Sequence, residues 1–181
     1  MNRTLTALMI SLSLMAFNVS AGITDTLPNK FSNQRQGKSI FTLTGVMHRA
    51  TADANGNIDG RLETVFMCTN MNKSLAIDIG IEIFDYRGAL QNILNDHENG
   101  AYLNLTSGST VTITTGKINA FIEDRMITTT QNSILGGSAR IVSSSSSIIC
   151  TAALIGEFNG IANPMSMMQL PVIKGIIQQG N

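Results

Sequence analysis

Residues 75–84 read Leu-Ala-Ile-Asp-Ile-Gly-Ile-Glu-Ile-Phe. Side chains on a β-strand point alternately to opposite faces. Leu75, Ile77, Ile79, Ile81 and Ile83 therefore share one face, and Asp78, Gly80 and Glu82 share the other. The pattern predicts a half-buried strand with an apolar side and a wet side. Asp78 and Glu82 would stand about 13 Å apart along that strand, too far for a close acid–base pair. A solvated face is expected for both.

Working outward, the same period recurs. Residues 39–49 alternate at Phe41, Leu43 and Met47, and residues 61–69 place Leu62, Phe66 and Cys68 together. Between them Ala54-Asn55-Gly56-Asn57 is a turn signal, because Asn-Gly readily takes the positive φ of tight hairpins. Further strands are expected at 109–114, with Val111 and Ile113 together, and at 119–128, 139–143 and 147–155. In the last of these Ile148, Cys150, Ala152 and Leu154 share a face. A final strand is expected over 167–177, where Pro171 suggests an edge or a bend. The five serines at 143–147 read as a turn between strands. Helical character is confined to a scrap at 89–94.

Composition sets the setting. Arg3, an apolar run over residues 5–17 and the small residues Val19-Ser20-Ala21 have the layout of a cleaved secretory signal, which places the mature start near Gly22. The run is too short to span a bilayer stably. Removing 21 of 181 residues leaves 160, enough for one domain with a real core. Losing Arg3 leaves eleven basic against twelve acidic residues, spread singly, so the basic footprint that nucleic-acid binding needs is missing. Residues 22–38 read as a flexible N-terminal arm and 39–181 as a single β-sandwich domain. The address is the periplasm or the outside of a bacterial cell, with no membrane span after cleavage.

The two cysteines, Cys68 and Cys150, both fall in the mature part. In an oxidising compartment an isolated pair is most simply a structural disulfide. Two buried thiols or a redox pair are the rival readings, and the latter lacks a Cys-x-x-Cys spacing. Both cysteines lie on apolar faces, so the bridge is expected to cross the core between two sheets. The fold class that follows is all-β: an Ig-like antiparallel β-sandwich of about 7–9 strands pinned by one disulfide. The chain has no Trp, so the core Trp of antibody domains is missing and the strand topology stays open.

Phe66-Met-Cys-Thr-Asn, Ile79-Gly-Ile-Glu-Ile-Phe-Asp-Tyr-Arg-Gly, Gly137-Ser-Ala-Arg-Ile-Val and Ile149-Cys-Thr-Ala resemble segments of small exported bacterial proteins of unknown function. Those are similar to Ig-like sandwiches with one disulfide. The resemblance spans roughly residues 39–177. It implies a fold and an address, and transfers no catalytic residue.

Candidate sites are sparse. An acyl-transfer serine would need a sharp Gly-x-Ser-x-Gly turn, which does not occur. His97 sits in a polar loop sequence, and His48 falls at a strand end, exposed or capped by a neighbour. Asp53, Asn55, Asn57 and Asp59 pack hard oxygen donors as calcium loops do. However, Ile58 and Thr64 stand where such a loop requires Gly and Glu, and a hairpin tip explains the same residues. Met47, His48, Met67, Met71, Met165, Met167 and Met168 would suit a soft metal, yet scattered methionines also fill apolar gaps. Glu123 and Asp124 read as solvated. No metal, cofactor or catalytic residue is assigned.

The function expected from these readings is a secreted or periplasmic binding or structural module without catalysis. It would meet another protein through a sheet edge or its loops. One alternative is a subunit of a surface fibre joined by strand addition. Chaperone-assembled pilins resemble the chain in size, leader, single disulfide and low aromatic content. Their bridge closes a shorter loop, however, and their aromatic-ended C-terminal strand is not found in residues 174–181. A metal-binding periplasmic protein is the other alternative.

Overall fold

The computed structural model describes residues 37–52, 54–56, 58–94, 99–118, 122–158, 161–162, 168–170 and 172–174. Eleven strands follow one another without a helix among the described residues. They are β1 (Lys38–Ala52), β2 (Ile58–Asn70), β3 (Ile77–Phe84), β4 (Ala101–Leu105), β5 (Thr110–Thr114), β6 (Arg125–Met126), β7 (Ile134–Ser143), β8 (Ile148–Phe158), β9 (Ile161–Ala162), β10 (Met168–Leu170) and β11 (Ile173–Lys174).

The strands form one sheet in the order β10-β8-β2-β1-β7-β3-β4, with β5 on β2, β11 on β1, β9 on β8 and β6 on β5. The β5–β6 pair is parallel and the rest are antiparallel, so the sheet is mixed where a purely antiparallel one was expected. β1 is long enough to serve two neighbourhoods. Its last residues, 48–52, pair with the start of β2, while the stretch from Lys38 to His48 lies against β7. Past Thr64, β2 pairs with β5 instead. The sheet therefore curls until it is nearly barrel-like around one core. Ile40, Leu43 and Val46 of β1 meet Phe66 of β2, the four isoleucines of β3 and Leu154 of β8 there.

The β1–β2 hairpin turns at Asn55-Gly56 as the sequence indicates, with Gly56 at φ 82°. The serine run likewise connects β7 to β8. β4 was not foreseen. Of residues 119–128, 119–121 lie outside the described residues, and the strand there is only Arg125–Met126. Residues 89–94 are not helical. Leu90 forms a lone bridge to Phe84, and the segment runs extended beside β3.

Two further expectations need correction. Cys68 and Cys150 do form the disulfide, but they sit directly opposite each other on the neighbouring strands β2 and β8, with Cα atoms 4.2 Å apart. The bridge staples two strands of one sheet and does not cross between sheets. Both cysteines face the core because their side chains share the parity of Phe66 and Ala152. The wet face of β3 does not exist either. Asp78, Gly80 and Glu82 are as buried as the isoleucines, because β3 lies inside the sheet and residues 85–94 and 99–103 fold back over it. Leu94, Ala101 and Leu103 pack there with Val142, forming a second small core on the outer side. Leu75, assigned to the apolar face, precedes the strand and is exposed.

Candidate functional site

The other outer face, over β2 and β8, is covered by the segment that leaves β5. Val65, Ile155 and Ile118 form its apolar part. Glu63 lies on the same face of β2 as Val65, and its strand partners are His48 on β1 and Ile155 on β8. The segment after β5 closes over it, so the carboxylate is fully buried. Its Oε2 accepts a hydrogen bond from the Thr115 hydroxyl at 2.9 Å and lies 2.7 Å from His48 Nδ1. Oε1 has no hydrogen-bond partner among the described residues. Gly116 seats against this carboxylate so closely that a Cβ there would stand 2.4 Å from Oε1.

Thr115 and Thr64 complete the cluster. The Thr115 hydroxyl also reaches the Met47 carbonyl at 3.0 Å and accepts from the Thr64 backbone N–H at 2.8 Å. The Thr64 hydroxyl accepts from the Met47 N–H and donates to its carbonyl. These contacts fall where β1 departs from β2, beyond Glu63 in the register, and there hydroxyls replace ladder bonds that the diverging strands no longer make. His48 is inside β1, a fifth exposed at its side chain, and is held by Glu63. A carboxylate on Nδ1 fixes the ring, which is the orienting half of an acid–base device.

The second buried ionic group is Glu82, paired with Arg140 across β3 and β7. The guanidinium also lies over the Phe84 ring, 5.4 Å from its centroid. Asp78 Oδ1 accepts from the Asn104 N–H, and its own backbone N–H donates to Ser144 Oγ. Asp85 organises the turn after β3, accepting from the Arg87 and Ala89 N–H groups and from the Gln91 and Gln131 amides. Asn92 extends the β4 side of β3. Its Oδ1 accepts from the Ile83 N–H and its Nδ2 donates to the carbonyls of Ile81 and Asn99.

Of the calcium-loop candidates, Asp53 and Asn57 lie outside the described residues, Asn55 is exposed at the hairpin tip and Asp59 belongs to β2. His97, Met165 and Met167 also lie outside them. Met47 packs on the main core and Met67 on the outer one, while Met71 is exposed. Among the described residues no three His, Cys, Asp or Glu side chains come together as a metal site, and no helix is long and apolar enough to cross a membrane. Asp124 is engaged at the edge of β5, where its Oδ2 accepts from the Thr112 N–H.

Glu63, Thr115 and Gly116 escaped the sequence reading. Glu63 stands at an outward position of an alternating strand, and only the covering segment, fifty residues later, makes that position interior. No family model, curated protein or solved structure matches the chain.

Proposed function

We propose that the protein is an exported, disulfide-stapled β module that works by binding or by structural support, without catalysis. The observation that carries this reading is the Cys68–Cys150 bridge, because such bonds form and persist in oxidising compartments and a leader-like sequence precedes the domain. The buried polar groups support the second half. Glu63, Glu82, Asp85 and Asn92 each fasten a strand or a covering segment, which is work inside the fold. An Ig-like sandwich is the finer architecture proposed, with β1 as the strand shared by both halves.

As a fibre subunit the chain would need an open strand edge. On β3 the positions past β4 are occupied by Asn92 and by the Gly100 carbonyl, which accepts from the Ile81 N–H. A foreign strand would have to displace both.

Export is tested by expressing the full chain in a bacterium, separating the compartments and weighing the intact protein. A mature mass beginning near Gly22 and lacking two hydrogens supports the reading. A cytosolic chain retaining Met1 and two free thiols refutes it. Turnover of a substrate that His48→Ala abolishes, in a variant that still folds, would overturn the non-catalytic half.

A further inference from the structure

The segment 85–93, which follows β3 and folds back on it, has its polarity inside out. Asp85, Gln91 and Asn92 are 5%, 2% and 3% exposed, while Tyr86, Leu90 and Ile93 are 62%, 39% and 66% exposed. Single apolar residues at a surface are ordinary, but polar side chains turned in beside apolar ones turned out are informative. The inward set fastens the segment. Asp85 Oδ1 accepts from the Arg87 and Ala89 N–H groups, and Oδ2 from the Gln91 and Gln131 amides. The Asp85 N–H donates to the Ala89 carbonyl and the Gly88 N–H to the Asp85 carbonyl, with Gly88 at φ 81°. Thr130 ties the segment from the other side, its N–H on the Gln91 carbonyl and its hydroxyl on Gln91 Oε1.

These bonds hold a tip that shows an aromatic ring, a cation and two aliphatic side chains to the solvent. The Arg87 guanidinium lies 5.0 Å from the centre of the Tyr86 ring. It makes no ion pair with a described residue. The carboxylate nearest to it in sequence, Asp85, is taken up by its four donors. Leu90 and Ile93 are three positions apart on an extended stretch, so about 10 Å separates them along it. Tyrosine and arginine are among the side chains that most often anchor protein interfaces. A tip already fixed by its own hydrogen bonds also loses little further freedom when a partner binds.

We infer that the segment 85–93 is a docking site for another protein, one whose contact surface sets a carboxylate beside apolar side chains. The inference rests on the binding-module reading above and adds where the module binds and what it recognises. The partner's carboxylate pairs with the planar guanidinium of Arg87, which offers two parallel N–H donors. The partner's apolar groups cover Tyr86, Leu90 and Ile93. Covering them takes the ion pair partly out of water, where salt screens it less.

The probe is a library of random peptides displayed on phage and selected on the full-length, disulfide-bonded protein. Enriched sequences should combine Asp or Glu with large apolar residues. Titration calorimetry with the most enriched peptide, made synthetically, should show Arg87→Ala and Tyr86→Ala each weakening binding by about tenfold or more. Arg87→Lys should retain only part of the affinity. Tyr86 and Arg87 are exposed, so these variants should keep the wild-type thermal midpoint. Ile149→Ser, at an exposed position of β8, should leave binding unchanged. Enriched peptides without a carboxylate, or binding that Arg87→Ala leaves intact, would overturn the docking site while the binding-module reading stands. A dimer in ultracentrifugation that Arg87→Ala dissolves would overturn it as well, the occupant then being a second copy of this chain. Failure of the binding-module reading itself is read separately, from substrate turnover that His48→Ala abolishes.

Discussion

Gly116→Ala should change the sign of its effect according to what stands at position 63. Gly116 is not among the residues with positive φ, so alanine suits its backbone. By itself such a change stabilises a protein by about 0.4–1 kcal/mol, through the unfolded chain. The new methyl, however, would land 2.4 Å from Glu63 Oε1, 2.6 Å from Cδ and 2.7 Å from Oε2. Glu63 cannot retreat freely, because Thr115 and His48 hold its Oε2 and the group is fully buried. Overpacking of this kind costs about 1–3 kcal/mol. Loosening a hydrogen bond to a charged acceptor adds about 1.5–3 kcal/mol. Set against the backbone gain, the net loss is about 2–5 kcal/mol. For a chain of this size that lowers Tm by roughly 5–15 °C. In a Glu63→Ala background the obstacle is gone, and Gly116→Ala should stabilise by about 0.4–1 kcal/mol. Urea unfolding of the four proteins of this cycle, followed by circular dichroism, reads the coupling directly. A Gly116→Ala penalty of the same size in both backgrounds would refute the reasoning.

Three other substitutions probe the remaining polar fastenings. Arg140→Met alone leaves Glu82 buried without its cation and should cost about 3–5 kcal/mol, whereas Glu82→Leu with Arg140→Met should unfold close to wild type or later; denaturant midpoints decide. Asn92→Ala strands the buried Ile83 N–H and Ile81 carbonyl and should cost about 2–4 kcal/mol, with faster hydrogen exchange concentrated at Ile83. Replacing both cysteines with alanine reopens a loop closed across 82 positions. The chain-entropy model puts that loss at about 4–5 kcal/mol, measurable as a lower thermal midpoint, and an unchanged midpoint would count against it.

Period-2 alternation was enough to locate β1, β2, β3, β5, β7 and β8, because these strands place large apolar side chains on a common core. It failed at β4, whose Ala-Tyr-Leu-Asn-Leu is short and follows a polar stretch of sequence. It also misjudged polarity. Alternation reports which residues share a face, and says nothing of whether that face is later covered. Asp78, Glu82 and Glu63 look solvated in the one-dimensional pattern, and only the segments at 85–94, 99–103 and 115–118 make them interior. The disulfide pairing was legible from two cysteines behind a leader-like sequence. Its placement within one sheet was not, since register between β2 and β8 depends on the folded topology. The Asn55-Gly56 turn was legible because its chemistry is local.

The placement of the bridge has a consequence in time. Cys68 lies opposite Cys150, and Lys38 opposite Ser143, so the contacts that define the sheet join distant parts of the chain. Topologies of this sort fold in milliseconds to seconds, far slower than hairpins. On the export route proposed above, a chain threaded out from its N-terminus would deliver Cys68 well before Cys150 reaches the far side. During that interval Cys68 would be a lone thiol on an unpaired apolar strand, open to the wrong partner. Once both cysteines are present, the β2–β8 register sets their sulfurs side by side, so the folded sheet favours the Cys68–Cys150 pairing over any other partner.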